Sequence, residues 1–544
     1  MIKKAVPPGA ALQQSVKGSE TVIHLYSENE WLYPDTVIGE NCQERALHAP
    51  LGGSVCCQVL TDDTLEQSSV MDMTVSAASP VIVTPYQLLP VTVDHNSDRK
   101  LMCAESYAEV SDFVTREAPF RLFEATRRID NGRLAAGRIA LWMRFDVPQD
   151  CPTGQRELAF SVKVGDIAFS FRITLTVHNC TVPALSSARF GMINWLDINM
   201  MDRFHALTKG SPQRERTLEA YLRDQLDMRN TDLKIPSGVP VYDETGRIVD
   251  FDFSEAEWVG NKALKMGFRH ILGGFVARWK KWSEDENYLL WDREIAISSL
   301  EGYRQLSLYF KAARECRDRN GWGERYQQCL VDEPQFPNSG NYRILCGMAR
   351  KFLPGIVIHD PVESSLLYGG TDIWCVKQAV YEDHIDDFRA VQALGEPIWL
   401  YTCGFPAGYM MNRIMDLPLA ATRLPFWMCI LYRCVGFLHW GYNCWTDRPF
   451  DLTCYPPPHK NGAMYPAGNA HLVYPGEYAP IDSVRAHHQR MGAEDAELLM
   501  QLVDRDPEQA DSLIRTVART FLDYENDPAK LDAGKLALLN ALEA

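Results

Sequence analysis

The sequence predicts a multidomain protein of mixed α and β structure, with an N-terminal β-sandwich, a central (β/α)8 barrel of the TIM type and a helical C-terminal extension. Three observations predict this fold class. The chain has 544 residues, which is enough for several domains. Residues 1–183 show strand-like alternation, and short apolar runs alternate with helical stretches over 189–447. Residues 448–544 are predicted as a loop-rich and helical region that packs on the barrel.

The N-terminal region is predicted as a β-sandwich because its apolar residues recur with a period of two. The clearest case is 167–177, where one face of a strand is apolar and the other is polar. Turn residues such as Pro152-Thr153-Gly154 separate the strands. The apolar face of that strand consists of Phe169, Phe171, Ile173, Leu175 and Val177.

The central region is predicted as a barrel because eight short apolar runs alternate with amphipathic stretches. Eight such units over about 250 residues match a (β/α)8 barrel. A doubly wound sheet is the alternative, although no Gly-rich phosphate loop follows any of the runs. The predicted strands are 190–194, 232–235, 268–272, 326–331, 356–359, 372–376, 398–402 and 436–440.

Charge and composition limit the classes of partner. With 71 acidic against 55 basic residues the formal net charge is -16, so nucleic acid is not expected as a partner. No segment approaches the roughly 20 apolar residues that span a bilayer, and no signal-peptide pattern is present. The 15 cysteines are scattered without a CxxC motif. We therefore expect a cytoplasmic protein without membrane partners, unless a signal peptide has been removed.

The most informative motif is Cys329-Leu330-Val331-Asp332-Glu333-Pro334. An apolar strand ends in two adjacent carboxylates, and Pro334 withholds a backbone donor and restricts Glu333 to an extended conformation. Barrel enzymes keep their acids and bases at the C-terminal ends of the strands. If both carboxyl groups face one cavity, each raises the pKa of the other. The alternative is a pair of solvated loop residues.

Aromatic residues concentrate in the same region, since eleven of the 13 tryptophans lie between Trp195 and Trp445. An aromatic ring at a strand end can stack against the apolar C–H face of a sugar. Core packing is the alternative for any single ring, and the position of the group at the strand ends favours a binding role. Two carboxylates beside such rings point to glycoside hydrolysis. The rings at or just beyond predicted strand ends are Trp195, Trp374, Tyr401, Trp440, Tyr442 and Trp445.

Histidines and known motifs add little. His359 and His439 lie at predicted strand ends, where a contact with a substrate hydroxyl and simple packing are both consistent with their positions. The HExxH, P-loop and GxSxG motifs are absent. We expect no metal and no cofactor.

The chain resembles glycoside hydrolase family 123 and the related domain of unknown function 4091. Over about 189–505, the resemblance rests on the Asp332-Glu333-Pro334 strand end, Trp399-Leu400-Tyr401, the stretch 423–427, and Gly436-Phe437-Leu438-His439-Trp440-Gly441-Tyr442-Asn443. Tyr474-Pro475-Gly476 and Arg490-Met491-Gly492-Ala493-Glu494-Asp495 match the tail of that domain. An N-terminal sandwich is usual in such proteins.

The resemblance implies a retaining exo-β-N-acetylhexosaminidase, similar to N-acetylgalactosaminidases, in which the 2-acetamido oxygen of the substrate attacks the anomeric carbon. Glu333 would then be the general acid/base, and Asp332 would orient the acetamide. An aromatic box of Trp374, Trp440 and Tyr442 would hold the acetamide methyl group, and Tyr401 would donate a hydrogen bond. Trp195, His359 and Trp445 complete the candidate substrate-binding residues.

Two other functions stay open at this point. A glycosidase for a sugar without an acetamide would need a separate nucleophile, such as Asp197, Asp360 or Glu363. A carbohydrate-binding protein without activity would use the same barrel. In each case the expected partner is a small glycoside or oligosaccharide, and a homo-oligomer remains open.

Overall fold

The computed structural model describes residues 2–3, 21–76, 79–98, 103, 113–404, 410–456 and 464–544. The chain divides into two compact units. The first contains residues 1–184, 404–431 and 443–544, and the second contains 185–403 and 432–442. No helix of the described residues is long and apolar enough to cross a membrane.

The N-terminal part of the first unit consists of β-strands, as the period-two alternation predicts. Strand β11 pairs antiparallel with β10, and Phe171 lies opposite Phe160. The strands are β1 (Ile2–Lys3), β2 (Ile23–Ser27), β3 (Glu44–Leu51), β4 (Ser54–Leu65), β5 (Ser69–Val75), β6 (Ile82–Val93), β7 (Phe120–Arg128), β8 (Arg133–Leu134), β9 (Gly137–Asp146), β10 (Gly154–Val164) and β11 (Ile167–Thr181).

The second unit alternates strands with helices. Its first half contains β12 (Gly191–Asn194), α1 (Ile198–Phe204), α2 (Pro212–Asp227), β13 (Asp232–Lys234), β14 (Val239–Tyr242), β15 (Ile248–Asp252), α3 (Ser254–Met266), β16 (His270–Gly273), β17 (Ala277–Arg278), β18 (Tyr288–Leu289) and α4 (Leu300–Arg319). Its second half contains β19 (Tyr326–Gln328), α5 (Ser339–Phe352), β20 (Val357–Val362), β21 (Ile373–Lys377), α6 (Gln378–Asp383), α7 (Ile385–Ala393) and β22 (Ile398–Thr402). The remaining elements of the chain are α8 (Ala420–Leu431) in the first unit, β23 (Gly436–His439) in the second, and β24 (Tyr474–Pro475), β25 (Pro480–Ser483), α9 (Val484–Arg505), α10 (Pro507–Val517) and α11 (Pro528–Glu543) in the first.

Eight parallel strands of the second unit form one sheet, in the order β12-β23-β22-β21-β20-β19-β16-β13. The two end strands, β12 and β13, lie close together. The Thr231 N–H just before β13 donates to the Met192 carbonyl of β12 at 2.9 Å. The sheet is therefore a nearly closed barrel of the TIM type. Each of the eight predicted strands is present in it. The fourth is shorter than predicted, because the Leu330 N–H bonds to the Asp360 carboxylate and not to a neighbouring strand.

The barrel interior is filled by Trp399, whose indole lies against two glycines on neighbouring strands, Gly191 and Gly436. Because a Cβ atom at either glycine would overlap the ring, the strands approach the indole as closely as only glycine allows. His359 packs edge-on against the same ring, at 4.7 Å between centroids. The interior is thus a packed core on which the strand ends are fixed.

Gly191→Ala is expected to destabilise the protein, because the added methyl group overlaps Trp399 in a close-packed core. Overpacking of this kind lowers the free energy of unfolding by about 1–3 kcal/mol. Gly347→Ala is the control, since Gly347 lies in α5 with no atom near its Cβ position. Urea denaturation monitored by tryptophan fluorescence measures both variants. Equal stability of Gly191→Ala and the natural protein would contradict this description of the core.

The C-terminal elements group with the N-terminal sheets in the first unit. Strand β25 extends the sheet β2-β4-β9-β6-β7-β25-β24, and α9 packs on α8. A buried ion pair between Arg485 of α9 and Glu124 of β7, at 2.6 Å, joins them. Residues 443–544 share this compact unit with residues 1–184, and the prediction that 448–544 pack on the barrel stays a prediction.

Candidate functional site

The site lies at the C-terminal ends of the barrel strands, where the segment after β19 carries Asp332 and Glu333. Glu333 has a φ of 55°, so its backbone is left-handed and the prediction of an extended conformation was wrong. The segment after β19 is tied to β20, because the Glu333 N–H donates to Pro361 O at 3.1 Å and the Glu363 N–H donates to Pro334 O at 3.0 Å. A left-handed backbone costs about 1–3 kcal/mol in a non-glycine residue and is typical of functional sites.

Asp360 on β20 holds the chain just before the acid pair. One oxygen of its buried carboxylate accepts the Leu330 N–H at 2.7 Å, and the other accepts the Tyr342 hydroxyl at 2.7 Å. Burial raises the pKa of Asp360 to about 7, against the opposing effect of these hydrogen bonds. Both oxygens are therefore engaged in supporting the segment that carries the pair.

The Glu333 carboxylate is surrounded by donors. The Tyr401 hydroxyl donates to Oε1 at 2.6 Å, and the Lys377 ammonium lies 3.1 Å from the same oxygen. Lys377 also forms an ion pair with Glu363. Burial raises the pKa of Glu333, but Lys377, Tyr401 and Arg278 outweigh burial, so the pKa is lowered overall. In the free protein Glu333 therefore favours its ionised form.

Asp332 is held in a different electrostatic environment. The Arg278 guanidinium lies 3.7 Å from its carboxylate, and the Trp279 indole N–H donates to its backbone carbonyl at 3.1 Å. Burial and the Glu333 charge raise the pKa of Asp332, while Arg278, Lys234 and Lys377 lower it less. Of the two adjacent carboxyl groups, Asp332 therefore holds a proton more readily.

The structure brings only part of the predicted set to this pair. Tyr401 contacts Glu333 directly. Trp195 lies beside Lys234, whose ammonium is 3.5 Å from the centre of its ring. Trp440 follows β23, is partly buried, and stacks beside His439 at 6.3 Å between ring centroids.

Other predicted residues lie elsewhere. Trp374 points outwards to Glu396 and Phe388, because side chains alternate along β21 and Lys377 takes the inward position. His359 is buried in the barrel core, where burial lowers its pKa to about 4. The Tyr442 hydroxyl donates to Asp224 of α2 at 2.5 Å. Trp445 belongs to the first unit, where its indole donates to Val473 O at 2.7 Å.

Sequence reasoning missed several residues around the pair. Lys234 and Lys377 end strands β13 and β21, and the loop after β16 supplies Arg278, Trp279 and Trp282. Trp282 packs edge-on against Trp279 and is 53% exposed. The signal was present, because Arg278-Trp279-Lys280-Lys281-Trp282 combines basic and aromatic residues a few positions after the barrel strand β16.

One group of described residues is close enough together to hold a metal ion. It consists of Asp94, His95 and Cys454 in the first unit. The acid pair itself is surrounded by lysine and arginine side chains, which do not bind cations. The arrangement at the strand ends therefore suits acid–base chemistry on a neutral or anionic molecule.

Comparison with known proteins gives a family match and similar solved structures. Residues 239–502 match the family described as glycoside hydrolase 123, catalytic domain, and the match includes the acid pair, Lys377 and Tyr401. No curated protein matches the sequence. Among solved structures, a family 123 glycoside hydrolase from Clostridium perfringens, studied for glycolipid glycan hydrolysis, is similar with a TM-score of 0.70 and 10% identity, covering 96% of this chain and 97% of that one.

Two further solved structures are similar at lower scores. A GH5 xyloglucanase from Bacteroides ovatus has a TM-score of 0.34 and 8% identity, covering 87% of this chain and 100% of that one. An exo-β-1,4-mannosidase from Opitutaceae bacterium strain TAV5 has a TM-score of 0.38 and 13% identity, covering 57% of this chain and 61% of that one. Of these three, the Clostridium perfringens protein alone indicates a common fold.

Proposed function

Because this chain belongs to the glycoside hydrolase 123 family over residues 239–502 and is a glycoside hydrolase, we propose that it is a retaining exo-β-N-acetylhexosaminidase that uses the acetamide of its substrate as the nucleophile. The observation that carries the proposal is the adjacent pair Asp332 and Glu333 at the end of β19. Left-handed backbone at Glu333 lets the two adjacent side chains lie on the same side of the chain, which regular strand geometry would forbid.

The proposed reaction assigns one role to each carboxyl group. Glu333 donates a proton to the glycosidic oxygen while the acetamide oxygen attacks the anomeric carbon and the bond to the leaving group breaks. Asp332 in its ionised form accepts the acetamide N–H and stabilises the positive charge that develops on that group. Glu333, now ionised, removes a proton from the water that opens the cyclic intermediate, so the configuration is retained.

The reactive form needs a proton on Glu333 and a charge on Asp332, which is the opposite of the preference in the free protein. The acetamide N–H of a bound substrate stabilises the ionised form of Asp332, because a hydrogen bond to a charged carboxylate favours that state. Loss of the proton from Asp332 raises the pKa of Glu333 through like-charge repulsion. Substrate binding thereby shifts the proton from Asp332 to Glu333, and the two groups titrate as a pair.

The substrate we propose is a small glycoside or oligosaccharide that ends in a β-linked N-acetylhexosamine, with N-acetylgalactosamine as the first candidate. The similar protein from Clostridium perfringens hydrolyses glycolipid glycans, and we extend that substrate class to this chain as a candidate. Trp279 and the exposed Trp282 beside the pair supply apolar ring faces on which a sugar can stack.

A second candidate is a glycosidase that uses a protein nucleophile and a sugar without an acetamide. The observation that favours it is Glu363, which shares the Lys377 ammonium with Glu333 and therefore lies near it. Asp360 is a poorer nucleophile, since both its oxygens accept hydrogen bonds from the protein. Asp197 is also engaged, because its side chain caps helix α1.

Release of nitrophenol from a panel of 4-nitrophenyl glycosides separates the two candidates. We expect turnover of the β-N-acetylgalactosaminide or β-N-acetylglucosaminide and none of the plain β-galactoside or β-glucoside. A thiazoline analogue of the cyclic intermediate should inhibit competitively, because it resembles the intermediate more than the substrate. Turnover of a plain hexoside at a similar rate would exclude the acetamide as nucleophile and favour Glu363.

A further inference from the structure

Lys234, the last residue of β13, forms no ion pair with another described residue, and the charges of Asp332 and Asp360 act on it from beyond ion-pair distance. Its ammonium lies 3.5 Å from the ring centre of Trp195 and 3.7 Å from that of Phe275. Among the described residues, no carboxylate reaches it within ion-pair distance and no acceptor takes its N–H groups. An ammonium carries three donors and no acceptor, so its hydrogen bonds must go to water or to a ligand.

Arg278 and Trp195, which lie near Lys234, also carry N–H groups for which the described residues supply few acceptors. Arg278 has a guanidinium with five N–H donors, and its ion pair in the described part of the chain is the one with Asp332 at 3.7 Å. The Trp195 indole nitrogen is buried and has no acceptor among the described residues. The side of the site next to Asp332 is therefore formed by donors and by ring faces.

We propose that Lys234, Trp195 and Arg278 form a subsite for an acceptor-only, anionic oxygen group of the substrate, namely a sulfate ester or a carboxylate. The inference deepens the proposed function and rests on it, since the group would be carried by the glycan that Asp332 and Glu333 act on. It adds a charge requirement that the acid pair alone does not impose.

An oxyanion fits this subsite better than a sugar hydroxyl does. A hydroxyl brings a donor of its own, and donors around it leave that proton without an acceptor, which is costly in a partly buried site. Sulfate and carboxylate oxygens only accept, and hydrogen bonds to charged donors are about twice as strong as neutral ones. The rings of Trp195 and Phe275 exclude water from two sides of the ammonium, which strengthens its interaction with an anion.

The test compares kcat/KM for neutral and anionic substrates in matched variants. The substrates are 4-nitrophenyl β-N-acetylgalactosaminide, its 4-sulfate and 6-sulfate, and a disaccharide whose second sugar is a uronic acid. The sulfates test a group on the cleaved sugar, and the disaccharide tests a carboxylate on its neighbour. Lys234→Met keeps the length and packing of the side chain without the charge, and Lys234→Arg restores the charge. Lys280→Met is the control, since Lys280 pairs with the exposed Glu294.

We expect at least one anionic substrate to exceed the neutral one by about tenfold in kcat/KM, which corresponds to one charge-assisted hydrogen bond. The ratio of kcat/KM for the anionic substrate to kcat/KM for the neutral one should fall to about one in Lys234→Met. It should recover in Lys234→Arg and stay unchanged in Lys280→Met. The proposal is overturned if the natural protein prefers the neutral substrate to every anionic one, or if Lys234→Met lowers kcat/KM equally for all substrates.

Failure of the proposed function has a separate signature, because either no glycoside is turned over or plain hexosides are turned over as fast as N-acetylhexosaminides. In both cases calorimetry with inorganic sulfate tests the subsite alone. Sulfate binding that weakens about tenfold in Lys234→Met, and not in Lys280→Met, supports the anion subsite. Identical behaviour of the natural protein and Lys234→Met would overturn it.

Discussion

Glu333→Gln is expected to lower kcat/KM for an N-acetylhexosaminide with a poor leaving group by about 10³-fold, because the amide cannot protonate the leaving oxygen. With a 2,4-dinitrophenyl leaving group, which departs without a proton, cleavage of the glycosidic bond should be nearly as fast as in the natural protein. The dependence of the loss on the leaving group identifies a general acid. Kinetics with a series of aryl glycosides and an oligosaccharide measure it.

The matched control for this prediction is Glu294→Gln, because the Glu294 carboxylate is 87% exposed on the loop between β18 and α4. It should leave kcat/KM unchanged for all leaving groups. A uniform loss in Glu333→Gln, independent of the leaving group, would assign Glu333 to structure or to nucleophilic attack. Full activity of Glu333→Gln on the oligosaccharide would remove it from the mechanism.

Asp332→Asn is expected to lower kcat on N-acetyl substrates by about 10²-fold or more, because the amide cannot stabilise the charge on the attacking acetamide. The pH profile should change in a defined way. In the natural protein the two carboxyl groups titrate as a pair, and kcat/KM falls at low pH when the pair takes up its second proton, because no ionised carboxylate is then left to assist the acetamide. Asp332→Asn should lose that acidic limb.

The basic limb of the same profile should move to lower pH in Asp332→Asn. Glu333 must be protonated to act, and the Asp332 charge raises its pKa by repulsion. Removal of that charge lowers the pKa of Glu333, so the acid form disappears at a lower pH. Asp292→Asn, on the exposed loop that also carries Glu294, serves as the control. Full activity of Asp332→Asn on N-acetyl substrates would exclude acetamide assistance.

The barrel strands were predictable from the sequence, because buried parallel strands are contiguous apolar runs bounded by polar turns. The acid pair was predictable for the same reason, since Asp332 and Glu333 directly follow such a run. The backbone conformation of Glu333 was not predictable from the sequence. Its left-handed backbone belongs to a segment whose hydrogen bonds reach Pro361 and Asp360, about 30 positions later in the chain.

The aromatic residues show where sequence position misleads. Trp374 and Lys377 lie on one strand, yet three positions separate them, so they face opposite sides of the sheet. The strand end was the right place to look, but the inward face belongs to Lys377. Tyr442 was equally close to a strand end in sequence and instead donates to Asp224 of α2. Contacts that depend on a long loop, such as that of Trp279 with Asp332, have no periodicity that could predict them.

Fluorination of the substrate's acetamide tests whether that group is the nucleophile. The measurement is kcat/KM for 4-nitrophenyl β-glycosides carrying acetamido, fluoroacetamido, difluoroacetamido and trifluoroacetamido groups. Each fluorine withdraws electrons from the attacking oxygen, so we expect kcat/KM to fall steeply and continuously across the series. Rates independent of the number of fluorines would contradict it and assign the attack on the anomeric carbon to a carboxylate of the protein, with Glu363 first.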